Sequence, residues 1–242
     1  MKLMREAPTP LYLQLKNALV ADINDGQHKP HERFMSEREL GEKFKVSRMT
    51  VRQALTEMIR EGILYTQVGK GTYVSEAKIK QELQTLTGFT QDMAARGKVA
   101  SGQVLDARII PATLALAATF SVPMNTEFVL LSRLRLSDGI PLAIEEAYIL
   151  NQICPGILAY DFSKESLYNV LATRYKTILV RAEQTMEAGL ATPKEAELLQ
   201  INSPAPVLRI ERLSYNEQNR LVEYVLSTYR GDRYKFHTTL QS

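Results

Sequence analysis

The chain has 242 residues, room for two modest domains that each bury a core. No apolar run approaches the roughly 18 residues of a membrane span, the opening MKLMREAPTP has no apolar signal core, and Cys154 is the single cysteine. These features argue against a membrane-spanning, exported or disulfide-stapled protein, and a cytoplasmic location is expected. The net charge of +3 is unevenly placed: residues 1–74 hold 12 Lys and Arg against 9 Asp and Glu, whereas residues 75–242 hold 18 of each. Such an excess is the footprint a polyanion partner would require.

In chain order, Thr9-Pro10 has N-cap and N1 chemistry, and Leu11, Leu15, Leu19 and Ile23 form an apolar stripe that ends near Gly26. His28 and His31 follow in a loop, without the carboxylate or cysteine that would complete a metal site. Ser36 and Glu39 then make a capping box, and Leu40 and Phe44 supply the apolar side of a short helix. After a turn at Lys45-Val46, Ser47 caps a second helix with Val51, Ala54, Leu55 and Met58 at the spacing of a buried stripe. Gly62 stops it, and Ile63-Leu64-Tyr65 and Thr72-Tyr73-Val74 read as two strands joined across Gly69-Lys70-Gly71.

Helix, turn, helix and hairpin make a winged helix-turn-helix. The second of its paired helices enters the major groove by its N-terminal turns, where Arg48, Thr50 and Arg52 stand. Arginine donates two parallel hydrogen bonds to guanine O6 and N7, worth roughly 1–3 kcal/mol of discrimination. Arg38 reaches a base or a phosphate from the preceding helix. At the wing tip Gly69 allows close approach to a minor groove, and Lys70 meets phosphate.

The polar stretch Ser75 to about Thr87 reads as a linker with some helical character. Beyond it the elements alternate: a helix from Gly88 to about Gly97, a strand over 99–110, a short helix over 112–120, and a hairpin of 127–136 and 140–150 around Ser137-Asp138-Gly139. A helix over 165–175, a strand over 178–189, a helix capped by Thr192-Pro193-Lys194-Glu195 and a last hairpin of 207–216 and 221–230 complete an α+β domain.

Strand alternation puts Arg133 and Arg135 on one face. A two-residue Asp-Gly turn would set Glu146 beside them, whereas a three-residue Ser-Asp-Gly loop with Gly139 left-handed sets Glu145 there, and the latter is preferred. Glu223, Val225, Ser227 and Tyr229 share a face of the last strand. Arg133, Arg135, Glu145, Glu223 and Tyr229 would then line a polar pocket for a ligand with an anionic group at one end and hydroxyls or an amine at the other.

SERELGEKFKVSRMTVRQALTEMIREGIL with VGKGTYV resembles the DNA-binding domain of GntR-type bacterial regulators. Met35 departs from the proline usual before Ser-Glu-Arg, and Arg38, Arg48 and Gly69 match the family's DNA contacts. Leu86 to Thr90, Ser132 to Arg135, Asp138 to Pro141, Ser166 to Tyr168 and Tyr229 to Tyr234 are similar to the effector domain of the HutC branch, the UTRA domain, of chorismate-lyase-like fold. The resemblance implies a homodimeric repressor on an inverted-repeat DNA operator, with a winged helix-turn-helix at 1–75, a linker at 76–87 and an effector and dimerisation domain at 88–242.

Similarity to repressors of N-acetylglucosamine utilisation implies a sugar phosphate effector, glucosamine 6-phosphate or N-acetylglucosamine 6-phosphate. Amides near Phe89 and Thr90 with Arg133, Arg135, Ser166 and Tyr168 would hold the phosphate, while Glu145, Glu223 and Tyr229 would meet the sugar. Relatives respond to other sugar phosphates, urocanate or fatty acids, so the effector stays open. An enzyme on the same fold and a constitutive DNA binder are the alternatives. No nucleophile elbow, metal-binding helix or phosphate loop supports catalysis, and no catalytic residue, metal or cofactor is assigned.

Overall fold

The computed structural model describes residues 8–67, 69–75 and 78–240. The opening MKLMREAPTP, expected to lack a signal core, lies largely outside that set, as do the first two positions of the expected linker. The chain divides into two units after Lys78.

The N-terminal unit comprises α1 (Leu11–Asn24), α2 (Glu37–Phe44), α3 (Arg48–Arg60), β1 (Leu64–Gln67) and β2 (Gly71–Val74). Pro10, not Thr9, occupies the N-cap of α1, and no side chain caps it. Thr9 contributes its carbonyl instead, which accepts from the Gln14 side-chain Nε2 at 2.7 Å. The Ser36 capping box forms in both directions, Glu39 N to Ser36 Oγ at 3.3 Å and Ser36 N to Glu39 Oε2 at 2.8 Å. Lys45 turns the chain in the left-handed region, φ 53°, and Ser47 caps α3 by accepting the Thr50 amide at 3.2 Å. Val51, Ala54, Leu55 and Met58 then bury against Leu15, Leu19 and Leu40. Gly62, at φ 72°, closes α3 while the Ile63 amide reaches back to Met58 at 2.9 Å. Residues 31–34 add an edge to the β1–β2 hairpin, with Phe34 N on Thr72 O at 2.8 Å.

In the C-terminal unit an antiparallel sheet runs in the order β4 (Ala100–Pro111), β5 (Glu127–Ser137), β6 (Ile140–Leu150), β9 (Leu221–Arg230), β8 (Pro206–Asn216), β7 (Leu179–Leu190). α4 (Phe89–Ala94) and α6 (Leu167–Arg174) cover one face: Phe89 and Met93 pack on Ala143 and Tyr229, and Leu167, Val170 and Leu171 on Val129, Leu131 and Val225. On the other, α5 (Leu114–Phe120) packs on Phe128 and Leu150, and α7 (Pro193–Leu199) on Leu134 and Val207. The expected α+β domain is therefore built on a six-stranded antiparallel sheet with helices on both faces.

Two expectations are corrected. The stretch read as a linker contains a strand, β3 (Ile79–Glu82), which pairs in parallel with β10 (Tyr234–His237) and belongs to the C-terminal unit. Ile79 and Gln81 turn inward and Lys80 and Glu82 outward, an alternation too short to stand out without its distant partner.

The β5–β6 connection is a two-residue turn of Asp138 and Gly139, φ 50° and 80°, with Ser137 opposite Ile140. That is the turn expected to favour Glu146, yet Arg133 faces Glu145. The register shifts by one between Arg135 and Leu136, so Leu142 has no opposite number. This bulge reverses the parity of everything beyond it.

Nothing lies within 4 Å of a Cβ built on Gly139, so the cost of a side chain there is confined to the backbone. Gly139→Ala is expected to destabilise the C-terminal unit by about 1–2 kcal/mol, read by urea unfolding. An unchanged midpoint would show that this turn does not hold the hairpin.

Candidate DNA interface and effector pocket

On the N-terminal unit the arginines of α3 are exposed and held. Arg48 Nε donates to Glu37 Oε2 at 2.8 Å and Arg52 Nε to Glu37 Oε1 at 3.1 Å. Their side chains remain 75 % and 55 % exposed. Glu37, in the first turn of α2, thereby sets the exit direction of two side chains from the first turns of α3. The hydrogen bonds from Arg48 and then Arg52 hold its carboxyl below the usual carboxylate range. Sequence reading missed Glu37, although its place beside Ser36 at a helix start was visible.

Arg38 is exposed on α2. Thr50 is half-buried, and its hydroxyl lies 2.9 Å from that of Ser47, so part of its bonding capacity is spent within the cap. Gly69, at φ 75°, and Lys70 form the exposed hairpin tip. His28 packs its ring edge on Phe34, and His31 meets the Tyr65 hydroxyl at 3.1 Å. Both histidines thus have structural partners.

In the C-terminal unit one cavity, of about 590 Å³ including its mouth, lies between the sheet and α4, α6 and β3. All nine residues expected to meet an effector line it: Phe89, Thr90, Arg133, Arg135, Glu145, Ser166, Tyr168, Glu223 and Tyr229.

Arg133 and Arg135 are each only 3 % exposed. Arg133 is paired through Nη2 with Glu145, while its Nε and Nη1 are buried without a hydrogen-bond partner. Arg135 donates to Thr90 Oγ1 at 3.2 Å and lies 4.6 Å from the centre of the Phe89 ring, and its Nε likewise has no partner. Burial lowers its pKa to about 10, leaving it charged at neutral pH.

The two carboxylates differ. Burial disfavours the charge on Glu145, but Arg133 and Arg135 outweigh it and hold its pKa below the ordinary value. Glu223 has no arginine bonded to it and accepts from the Tyr168 hydroxyl and the Ser214 hydroxyl, each at 3.0 Å. Burial first, and then the Glu145 charge, push it up to about 7.

Candidates for phosphate and candidates for sugar are thus bonded to one another in this structure, Arg133 to Glu145 and Tyr168 to Glu223. A ligand would enter by exchanging partners. The cavity also contains Arg212, which sequence reading missed. It stands opposite Val225, so the parity that put Val225 in the pocket should also have put Arg212 there.

Residues 11–74 match the model of bacterial regulatory proteins of the gntR family, and residues 95–235 that of the UTRA domain. The HTH-type transcriptional repressor NagR of Bacillus subtilis (strain 168) is 39 % identical over 237 residues, spanning 98 % of this chain and 97 % of that protein. The histidine utilization repressor of Pseudomonas putida is 32 % identical over 213 residues, 88 % and 85 % of the two chains. Among solved structures, PhnF from Mycobacterium smegmatis superposes with a TM-score of 0.71 at 28 % identity, over 93 % of this chain and 98 % of its own. Relatives with such names over nearly the full length are regulators and not enzymes, and no described helix is long and apolar enough to cross a membrane. The chain belongs to the gntR family of bacterial regulatory proteins, in the branch that carries a UTRA domain, and is a transcriptional repressor.

Proposed function

We propose that this repressor binds an inverted-repeat operator as a homodimer and is released by a phosphorylated amino sugar, glucosamine 6-phosphate or N-acetylglucosamine 6-phosphate. The observation that carries the effector reading is the buried pair Arg133 and Arg135. Three of their nitrogens have no protein partner, and two unlike carboxylates share the cavity. Buried guanidinium nitrogens left without an acceptor are costly and suit a multivalent anion, and phosphate oxygens match their fork. Glu145 and Glu223 then meet hydroxyl and amine or amide donors of the sugar. This deepens the resemblance to amino-sugar repressors, and the 39 % identity to NagR is consistent with it.

On the DNA side, Arg48 and Arg52 read base edges, Arg38 a base or phosphate, and Gly69 and Lys70 the minor groove and backbone. One wing-helix unit reads few base pairs, so two related by a dyad are needed for half-sites one turn apart. The effector acts by preferring a dimer arrangement that no longer matches this spacing. A coupling of about 1–3 kcal/mol would weaken operator binding roughly 5–150-fold, and operator would weaken effector binding equally.

Calorimetry with both sugar phosphates, trehalose 6-phosphate and urocanate tests the effector, and heat with none of the phosphosugars would refute it. Arg48→Ala is expected to lose roughly 1–3 kcal/mol of operator discrimination and keep effector binding. Arg133→Lys keeps a charge beside Glu145 but loses the fork, and should bind operator yet resist release. Matching defects in both variants, seen by titrating labelled operator with and without effector, would contradict this division.

Glu37→Gln removes the carboxylate that aims Arg48 and Arg52, along with one negative charge near DNA. Affinity for random duplex should rise while the ratio of operator to random binding falls, a combination read by competition titration. A higher ratio would show that Glu37 opposes recognition.

Because Glu223 is raised from 4.5 to about 7, the stability from its protonated form is complete below about 4.5 and is lost as pH rises through about 7. From about pH 5 to about pH 8, the melting midpoint of the effector-free protein should fall more steeply than that of Glu223→Gln. Parallel slopes would assign the pH dependence elsewhere.

A further inference from the structure

Among the residues that line the cavity, Gln81 has no role in the reading above. It is 6 % exposed, and its Oε1 is fully buried with no hydrogen-bond partner. A buried amide oxygen without a donor is destabilising unless something supplies one. The cavity wall around it is rich in donors fixed elsewhere: the Tyr234 hydroxyl is given to Asp92 at 2.8 Å, Arg135 to Thr90, and Tyr168 to Glu223. An acceptor placed among arginines is unsuited to phosphate, whose oxygens also accept. It suits the O–H or N–H groups of the part of the ligand that carries no charge.

The strand that carries Gln81 has a second property. β3 is four residues long and pairs only with β10 among the described strands, closed by Ile79 N on Arg233 O at 2.7 Å and Leu83 N on His237 O at 2.9 Å. Its outward residue Lys80 accepts the Arg96 guanidinium through its carbonyl. Gln81 is the third residue after Lys78, where the chain leaves the DNA-binding unit, a span of about 10 Å in extended chain. A ligand bonded to Gln81 therefore holds the beginning of the effector unit at the point where the two units are joined.

We propose that Gln81 is an effector contact, its side-chain oxygen accepting an O–H or N–H from the sugar moiety, and that β3 transmits this contact to the segment leading to the DNA-binding unit. The proposal rests on the effector reading above and adds a residue and a route to it. The test uses the full-length protein and Gln81→Met, which keeps the length of the side chain and removes its amide. Replacing an unpartnered buried acceptor by an apolar group should leave the ligand-free melting midpoint level or raise it. A fall of several degrees would show instead that Gln81 is a structural residue, and would overturn the proposal.

Titration with glucosamine 6-phosphate and N-acetylglucosamine 6-phosphate should show affinity for the better ligand reduced about tenfold in the variant. Affinity for inorganic phosphate, measured by competition, should be the same in both proteins. Equal sugar phosphate affinity overturns the contact, and equal losses for sugar phosphate and inorganic phosphate overturn its assignment to the sugar. If wild type binds neither sugar phosphate, the effector reading falls and Gln81 with it. The ratio of effector affinities without and with operator tests transmission: it should shrink in the variant, and an unchanged ratio would leave Gln81 as a contact and refute β3 as the route.

Discussion

The ion pair between Arg133 and Glu145 across β5 and β6 is the constraint on which the effector unit depends. Both groups are largely removed from water, and their attraction offsets a desolvation cost of several kcal/mol per ion only where the remaining hydrogen-bonding capacity is also met. Here it is not met, since two nitrogens of Arg133 have no partner. A core designed for stability alone would place aliphatic residues at these positions, as β5 does at Val129 and Leu131 on the same face. The sheet gives up stability at one end of that face to keep a charged, incompletely bonded cavity.

That pair exists because of one extra residue. The Asp138-Gly139 turn, left to itself, would bring Ile144 opposite Arg133 and put Glu146 on the arginine face, and the unpaired Leu142 shifts the register so that Glu145 stands opposite Arg133. Sequence reasoning reached the right carboxylate through the wrong loop, because a three-residue loop and a two-residue turn followed by a bulge have the same effect on parity. Only the hydrogen-bond register separates them.

The features legible in the sequence are those with local causes. Ser36 with Glu39, Ser47 before α3 and Gly62 after it each act within a few residues, and all three perform the expected function. Arg133 with Arg135 and Glu223 with Tyr229 were legible through alternation, which needs no partner to be known. Arg212 was legible by the same rule had it been applied across the β8–β9 hairpin. What was not legible depends on distant chain: β3 and β10 lie about 155 residues apart and pair in parallel without a connecting turn, and Glu37 matters only because α3 presents two arginines to it. Thr9 is a smaller instance, its capping chemistry present but supplanted by Pro10 at the helix boundary.

Both units hold guanidinium groups on a carboxylate, Arg48 and Arg52 on Glu37, Arg133 on Glu145, and burial makes the two arrangements behave differently. The exposed pairs on Glu37 are worth about 0–1 kcal/mol each, so on the proposed function a guanine edge or a phosphate would displace them at little cost, and the carboxylate would aim the side chains before contact. In the cavity, opening the Arg133–Glu145 pair without replacement would leave two buried charges alone, at about 3–5 kcal/mol. Only a ligand that offers an anion to the arginine and donors to the glutamate avoids that penalty. On the proposed function, the same chemical device would give ready exchange on a surface that scans a polymer of repeated phosphates, and selectivity for a bifunctional small molecule in the interior.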